Sequence, residues 1–215
     1  MRVDGLIQAA GSGTRLGLGP KAFVCLGGRT LLERAVALLC GLVEALVIAV
    51  AAEDLERATA LVGGPGIRFI VGGLTRSDTT RRLIDGAAEP WLVLHDVGHP
   101  FATRGLVEAL VAAARQAGAA APGLVSTEFV YDRSGIPLHR PGDLLIGQKP
   151  IAFSRAAALA GYAASAANPG EDPSFVDVLA RGGVRTAFVP GDATNIKITT
   201  AGDLRLARAL CAMDS

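Results

Sequence analysis

Short apolar runs at residues 5–8, 45–51, 68–71 and 91–95 alternate with stretches of helical apolar spacing at 30–40, 54–61 and 76–86. Alternation of this kind builds a mostly parallel sheet with helices on both faces. The texture continues with helical patterns at 103–117, 154–166, 174–181 and 201–213 and a strand-like run at 186–189. Residues 121–147 differ: Phe129, Tyr131 and charged residues alternate around Asp132-Arg133-Ser134-Gly135, with Pro137 and Pro141 nearby. That segment reads as a β-hairpin at a sheet edge. The expected architecture is α/β with a projecting arm at about 123–146. With 215 residues, half of them hydrophobic, and no repeat or linker, the chain is expected to form a single domain over 1–215.

A net charge of +1 and an aromatic content of 5% leave neither the basic field nor the stacking platforms of a nucleic-acid binder. A small anionic ligand fits better. Cys25, Cys40 and Cys211 are odd in number and lack Cys-x-x-Cys spacing, which indicates no disulfide framework or zinc site. No apolar signal core opens the chain, and runs such as 45–52 fall far short of a membrane span. A cytoplasmic protein without a membrane partner is expected.

In open α/β sheets ligands lie beyond the carboxyl ends of the strands, where the loop after Gln8 and the segment at Asp96 both point. The first of these reads Ala9-Ala10-Gly11-Ser12-Gly13-Thr14-Arg15-Leu16-Gly17-Leu18-Gly19-Pro20-Lys21. Gly11 and Gly13 let backbone N–H groups approach phosphate oxygens, and Arg15 and Lys21 supply charge for a polyanion. A Walker loop is excluded because Lys21 precedes Ala22 rather than a hydroxyl. A dinucleotide fingerprint would need glycine at Leu16, and a kinase loop would need a His-Arg-Asp that is absent. Asp96 ends a strand where a carboxylate can meet a ribose, a metal or an acceptor phosphate held through a metal; His95 and His99 flank it, a weak pair for a metal. Gly72-Gly73-Leu74-Thr75-Arg76-Ser77-Asp78-Thr79 is a second glycine turn opening a helix. In Thr194-Asn195-Ile196-Lys197-Ile198-Thr199 a lysine lies between two aliphatics and is expected on the opposite face from them.

Taken together, Ala9-Ala10-Gly11-x-Gly13-x-Arg15, Pro20-Lys21, Gly72-Gly73-x-x-Arg76, His95-Asp96 with Pro100, and Asn195-Ile196-Lys197 resemble the 2-C-methyl-D-erythritol 4-phosphate cytidylyltransferases in identity and order. The resemblance implies a Rossmann-like nucleotidyltransferase fold, CTP as substrate with Mg²⁺, and a homodimer whose arm reaches toward the neighbouring subunit's site. It assigns Arg15, Lys21 and Lys197 to the triphosphate and transition-state charge. Ala9, Ala10, Gly11, Ser12, Gly13, Gly72, Gly73, Arg76, Thr79 and Asp96 become the nucleotide-binding set, with Asp96 also the candidate carboxylate for magnesium.

The acceptor side departs from the family pattern. Asp-Ala-Ala-Arg-Pro reads Asp96-Val97-Gly98-His99-Pro100, Thr-Pro-Gln reads Lys149-Pro150-Ile151, and the acidic Thr-Asp-Glu/Asp motif reads Glu171-Asp172-Pro173. The family's Asp-Thr is approximated by Ser126-Thr127, and the arm arginine by Arg140. His99, Thr127, Arg140, Lys149 and Asp172 are thus the expected acceptor-binding residues. An unreplaced arginine bond, about 1.5–3 kcal/mol, would weaken acceptor binding about 10- to 150-fold. A smaller phosphorus acceptor is expected, with His99 donating when protonated or by one N–H when neutral, and Lys149 supplying the missing charge from the arm side. The pocket resembles those of phosphonate-antibiotic cytidylyltransferases, which makes 2-hydroxyethylphosphonate the favoured acceptor. Methylerythritol phosphate and ribitol 5-phosphate are the alternatives, and a catalytically weak nucleotide-binding module is the reading from another class.

Overall fold

The computed structural model describes residues 2–165 and 172–213. In chain order the elements are β1 (Val3–Gln8), β2 (Cys25–Leu26), β3 (Arg29–Thr30), α1 (Leu31–Leu39), β4 (Leu46–Val50), α2 (Leu55–Val62), β5 (Ile67–Val71), α3 (Arg76–Gly86) and β6 (Trp91–Asp96). There follow α4 (Arg104–Ala117), β7 (Ala119–Val125), β8 (Val130–Tyr131), β9 (Pro137–His139), β10 (Leu145–Gly147), β11 (Ile151–Ser154), α5 (Arg155–Ser165), α6 (Phe175–Arg181), β12 (Ala187–Pro190) and α7 (Ala201–Met213). The expected helices and core strands are all present. Ala166, the last residue of the helix expected at 154–166, lies outside the described residues.

Eight strands form the main sheet. β5, β4, β1 and β6 run parallel, and β12 runs parallel to β7. β11 enters antiparallel between β6 and β7, and β10 pairs antiparallel with the far end of β7. The sheet is therefore mixed on this side. The sequence signal for β11 is only Ile151-Ala152-Phe153, too short for an alternation to register.

Successive side chains on a strand face opposite ways, and the core divides accordingly. Ile7 joins one apolar cluster with Leu39, Leu110 and Leu204, from α1, α4 and α7. Its neighbour Leu6 joins the other, with Leu83, Ala158 and Val178 from α3, α5 and α6. Burial on both faces explains why these strands read as continuous apolar runs.

The arm forms as the turn chemistry dictates. β8 pairs with β9, and Asp132 Oδ1 accepts N–H bonds from Ser134 and Ile136 at 2.9 Å each. Gly135 takes φ +87°, a conformation side chains resist. At the start of α1 the Thr30 and Glu33 side chains cap each other's backbone N–H groups, with N···O distances of 2.7 and 3.2 Å. Replacing this capping-box threonine, Thr30→Ala, is expected to cost about 1 kcal/mol, read as a lower urea midpoint at unchanged slope. An unchanged midpoint would show that packing alone fixes α1.

Candidate active site

The glycine loop leaves β1 at Gln8, and its return is fixed by Lys21 N–H donating to the Gly11 carbonyl at 3.2 Å. Gly13 has φ +66°, and a Cβ there would collide with the Gly19 carbonyl, so the loop can close this tightly only with glycine at that point. Buried Leu16 anchors the loop while Arg15 stays exposed.

Across from the loop, Asp96 ends β6. Lys197 Nζ sits 3.2 Å from its Oδ2, and the Gly98 N–H donates to Oδ1 at 2.8 Å. Lys21 Nζ donates to the Ile198 carbonyl at 2.9 Å, while Ile198 N–H donates to the Gly98 carbonyl at 2.8 Å. The segment carrying Lys197 is braced on both sides. Asp203 accepts the Thr199 and Thr200 N–H groups at 2.8 and 2.7 Å, and buried Asn195 donates to the Lys149 carbonyl at 2.8 Å. Lys197 is exposed while Ile198 is buried and Ile196 half-buried, the expected facing.

Charge at this point is strongly conditioned. Burial opposes ionisation of Asp96, but Lys197, the Gly98 N–H and Lys21 outweigh it and hold its pKa at about 2. Burial lowers the Lys21 pKa, partly offset by Asp96, while Lys197 and Arg15 lower it further. Lys21 therefore gains from any anion that approaches.

These groups surround a cleft of about 370 Å³. Ala10, Gly11, Ser12, Arg15 and Lys21 line it from the glycine loop, and Gly73, Arg76 and Thr79 from the second glycine turn. Asp96 and Lys197 close it. Ala9 lies buried beneath, and Gly13 and Gly72 shape the backbone behind it; a Cβ on Gly72 would stand 2.5 Å from that of Ala10. Four cationic side chains against one carboxylate make a cleft for a polyphosphate. Thr79 Oγ1 accepts the Gly73 N–H at 2.9 Å, which fixes the second turn. A larger hollow of about 780 Å³ runs along β12 and α6, but Val176, Val184 and Phe188 line it and none of the glycine-loop residues reach it. Convergent charge, not volume, marks the site.

Behind the cleft is a chamber of about 50 Å³ to which Gln8, Arg76, Thr80, Lys149 and Tyr162 contribute. Gln8, Thr80 and Tyr162 are absent from the set that the sequence alone suggests. Gln8, the one amide ending the apolar run of β1, is the available signal; it donates to Thr80 Oγ1 at 2.7 Å. Asp172 does not line either cavity: it pairs with Arg76 at 3.7 Å and accepts the Ser77 N–H at 2.8 Å, orienting the arginine. The Glu171 half of that motif lies outside the described residues. Thr127 and Arg140 are exposed on the arm, away from both cavities of their own chain.

The sequence profile of the family described as 2-C-methyl-D-erythritol 4-phosphate cytidylyltransferase matches residues 3–213. The chain belongs to that family. It is similar to proteins of that name from Deinococcus radiodurans, 40% identical over 97% of this chain and 89% of the relative, and Thermus thermophilus, 37% identical over 98% and 97%. A crystal structure of the enzyme of that name from Thermus thermophilus superimposes with a TM-score of 0.85 at 32% identity, covering 99% of this chain and all of the other. The protein is a CTP-dependent nucleotidyltransferase with the Rossmann-like fold of its family.

Asp96 has one oxygen on Lys197 and the other on the Gly98 N–H, and among the described residues no group of three or more His, Cys, Asp or Glu is placed to hold a metal ion, so a magnesium ion beside Asp96 would take its remaining ligands from phosphate oxygens and water. One expectation for this cytidylyltransferase needs correction. His99 is 5% exposed and lines neither cavity, and burial outweighs the attraction of Asp96 to bring its pKa to about 3. A protonated His99 is therefore not available to an acceptor near neutral pH. His95 is likewise a core residue of β6, with burial lowering its pKa to about 4.

The histidines give the enzyme an acid sensitivity whose sign is fixed. Unfolded, each takes up a proton below about pH 6.5; folded, neither does until about pH 4 or 3. Stability is fully present above pH 6.5 and is expected to fall by about 1.4 kcal/mol per pH unit per histidine as pH drops toward 5. Denaturant titrations across this window check it, and His99→Gln should roughly halve the slope. An undiminished slope would place the proton uptake elsewhere.

Proposed function

We propose that this cytidylyltransferase transfers CMP from magnesium-complexed CTP to 2-C-methyl-D-erythritol 4-phosphate, releasing pyrophosphate. The observation that carries the reading is the meeting of Arg15, Lys21 and Lys197 around Asp96 in one cleft. Two relatives, at 40% and 37% identity, are named for this acceptor. The phosphonate acceptor expected from the sequence rested on the altered acceptor pocket, with His99 as a replacement donor and Lys149 as a source of charge. With His99 buried and lining neither cavity, its part of that support is gone.

In this reading Ala10, Gly73 and Thr79 bound the cytosine and ribose, and the N–H groups of Gly11 and Ser12 with Arg15 hold the β- and γ-phosphates. Lys21 and Lys197 flank the α-phosphate. A phosphate oxygen of the acceptor attacks the α-phosphorus in line. The new P–O bond forms as the bond to the bridging oxygen breaks, and pyrophosphate leaves with that electron pair. No covalent enzyme intermediate is required. Magnesium enters with the triphosphate as part of the substrate. The residues act by position and charge, which counts for most where the groups are already fixed before the reaction.

The arm also belongs to this reading. Val125, Phe129, Tyr131, Ile136, Leu138 and Ile146 are each 53–59% exposed on residues 123–146, an apolar concentration that a single copy leaves in water. A second copy of the chain would cover it and bring Thr127 and Arg140 toward the neighbour's acceptor. Residues 1–215 act as one domain in such a dimer.

Pyrophosphate release tests the function. Turnover is expected with CTP and methylerythritol phosphate, but not with ATP, GTP or UTP; turnover with 2-hydroxyethylphosphonate or ribitol 5-phosphate alone would overturn the acceptor assignment. Lys21→Ala and Lys197→Ala should each lower kcat about 10²- to 10³-fold with little loss of folding stability. Light scattering on Ile136→Asp/Leu138→Asp should report a monomer; an unchanged mass would refute the arm interface.

A further inference from the structure

The chamber behind the cleft shares Gln8, Arg76, Asp96 and Lys197 with it. Three cations, Arg76, Lys149 and Lys197, share it with one carboxylate, and Asp96 is already spoken for by Lys197 and Gly98. Arg76 is paired with Asp172. Lys149 is different. Its ammonium has no hydrogen bond and no ion pair within 4 Å among the described residues; Asp96 attracts it from further off, and the ring centre of Phe175 lies 5.7 Å away. A desolvated ammonium without an acceptor is costly, whereas one that receives an anion there is well used.

We propose that this chamber is a phosphoryl subsite, in which Lys149 is the specificity-determining residue that receives the acceptor's phosphoryl group beside the Asp96–Lys197 pair. The proposal rests on the transferase reading above and adds the place and the recognition residue. About 50 Å³ is room for about two waters, so a phosphoryl group seated there would extend into the adjoining cleft. Ser77 and Tyr162 add hydroxyls to the lining, and Gln8 an amide. The family pattern has threonine where this chain has Lys149, so the charge is a feature of this chain's own pocket.

The subsite has a proton signature. Burial chiefly, with Lys197 and Arg76 adding to it against Asp96, lowers the Lys149 pKa to about 7. The other titratable groups around it are Asp96 and His95 on β6, His99 just beyond, Arg76 on α3, Tyr162 on α5, Asp172 before α6, and Lys197. Asp96 remains charged and both histidines neutral near pH 7, and burial raises the Tyr162 pKa. Lys149 is then the group that changes charge in this range. An incoming dianion favours its protonated form, so binding above pH 7 takes up a proton and weakens as pH rises further.

Sulfate is a suitable probe because its own protonation is fixed. Calorimetric titration of CTP-saturated enzyme at about pH 8, in two buffers of different ionisation heat, is expected to show uptake approaching one proton per sulfate. Lys149→Met should bind sulfate about 10- to 150-fold more weakly and without that uptake. Lys149→Arg, charged at every working pH, should restore binding while abolishing the uptake. Sulfate should raise the acceptor KM competitively. Equal binding and proton uptake in Lys149→Met, or sulfate that binds without competing with the acceptor, would overturn the proposal; the latter would make the chamber a site for a free anion. Absence of pyrophosphate release with every acceptor would defeat the transferase reading while leaving the sulfate result intact.

Discussion

The pairing of Asp96 with Lys197 is the contact on which the site depends. The carboxylate stands at the end of a buried strand, and by itself would be an expense of burial; the ammonium at 3.2 Å and the Gly98 N–H at 2.8 Å make it an anchor. It ties the 196–199 segment to the sheet, and through the Ile198 carbonyl it also places Lys21, which arrives from the opposite side on the glycine loop. Two cations from segments far apart in sequence are thereby held next to each other before any substrate is present.

Holding like charges together is unfavourable in the free protein, and Lys197 and Arg15 add to the lowering of the Lys21 pKa that burial chiefly causes, against the attraction of Asp96. The surrounding structure carries that strain through rigid backbone contacts: Lys21 N–H to Gly11, Ile198 N–H to Gly98, and the Asp203 and Asn195 braces. The two-faced core makes those contacts stiff, because β1 and β6 are packed on both sides and their ends cannot drift. A triphosphate relieves the repulsion, which couples binding to the arrangement needed for transfer.

The framework was legible because strands buried on both faces write themselves as apolar runs, and glycine loops and terminal charges have fixed chemical meanings. Arg15, Lys21, Arg76, Asp96 and Lys197 line one cleft; the strand ends pointed the glycine loop and Asp96 to it, and the family resemblance added Arg76 and Lys197. What failed to register depends on tertiary neighbours. β11 has three apolar residues and no periodicity to announce it, Gln8 and Tyr162 gain meaning only from the chamber they enclose, and His99 resembles a substitute donor until its burial is seen. The acceptor pocket was hardest to read for the same reason: Asp172 sits near the site in sequence logic but acts on Arg76 instead. Exposed apolar residues on the arm, ordinary one by one, gain significance only when the hairpin places them on one projection.

A double-mutant cycle on Asp96→Asn and Lys197→Met, read as kcat/KM for CTP, tests most directly whether the pair acts as one device. The account predicts that the double variant loses far less than the summed losses of the single variants, a coupling of about 0.5–3 kcal/mol. Additivity to within about 0.3–0.5 kcal/mol would contradict it, and would mean that Lys197 reaches its place without the carboxylate.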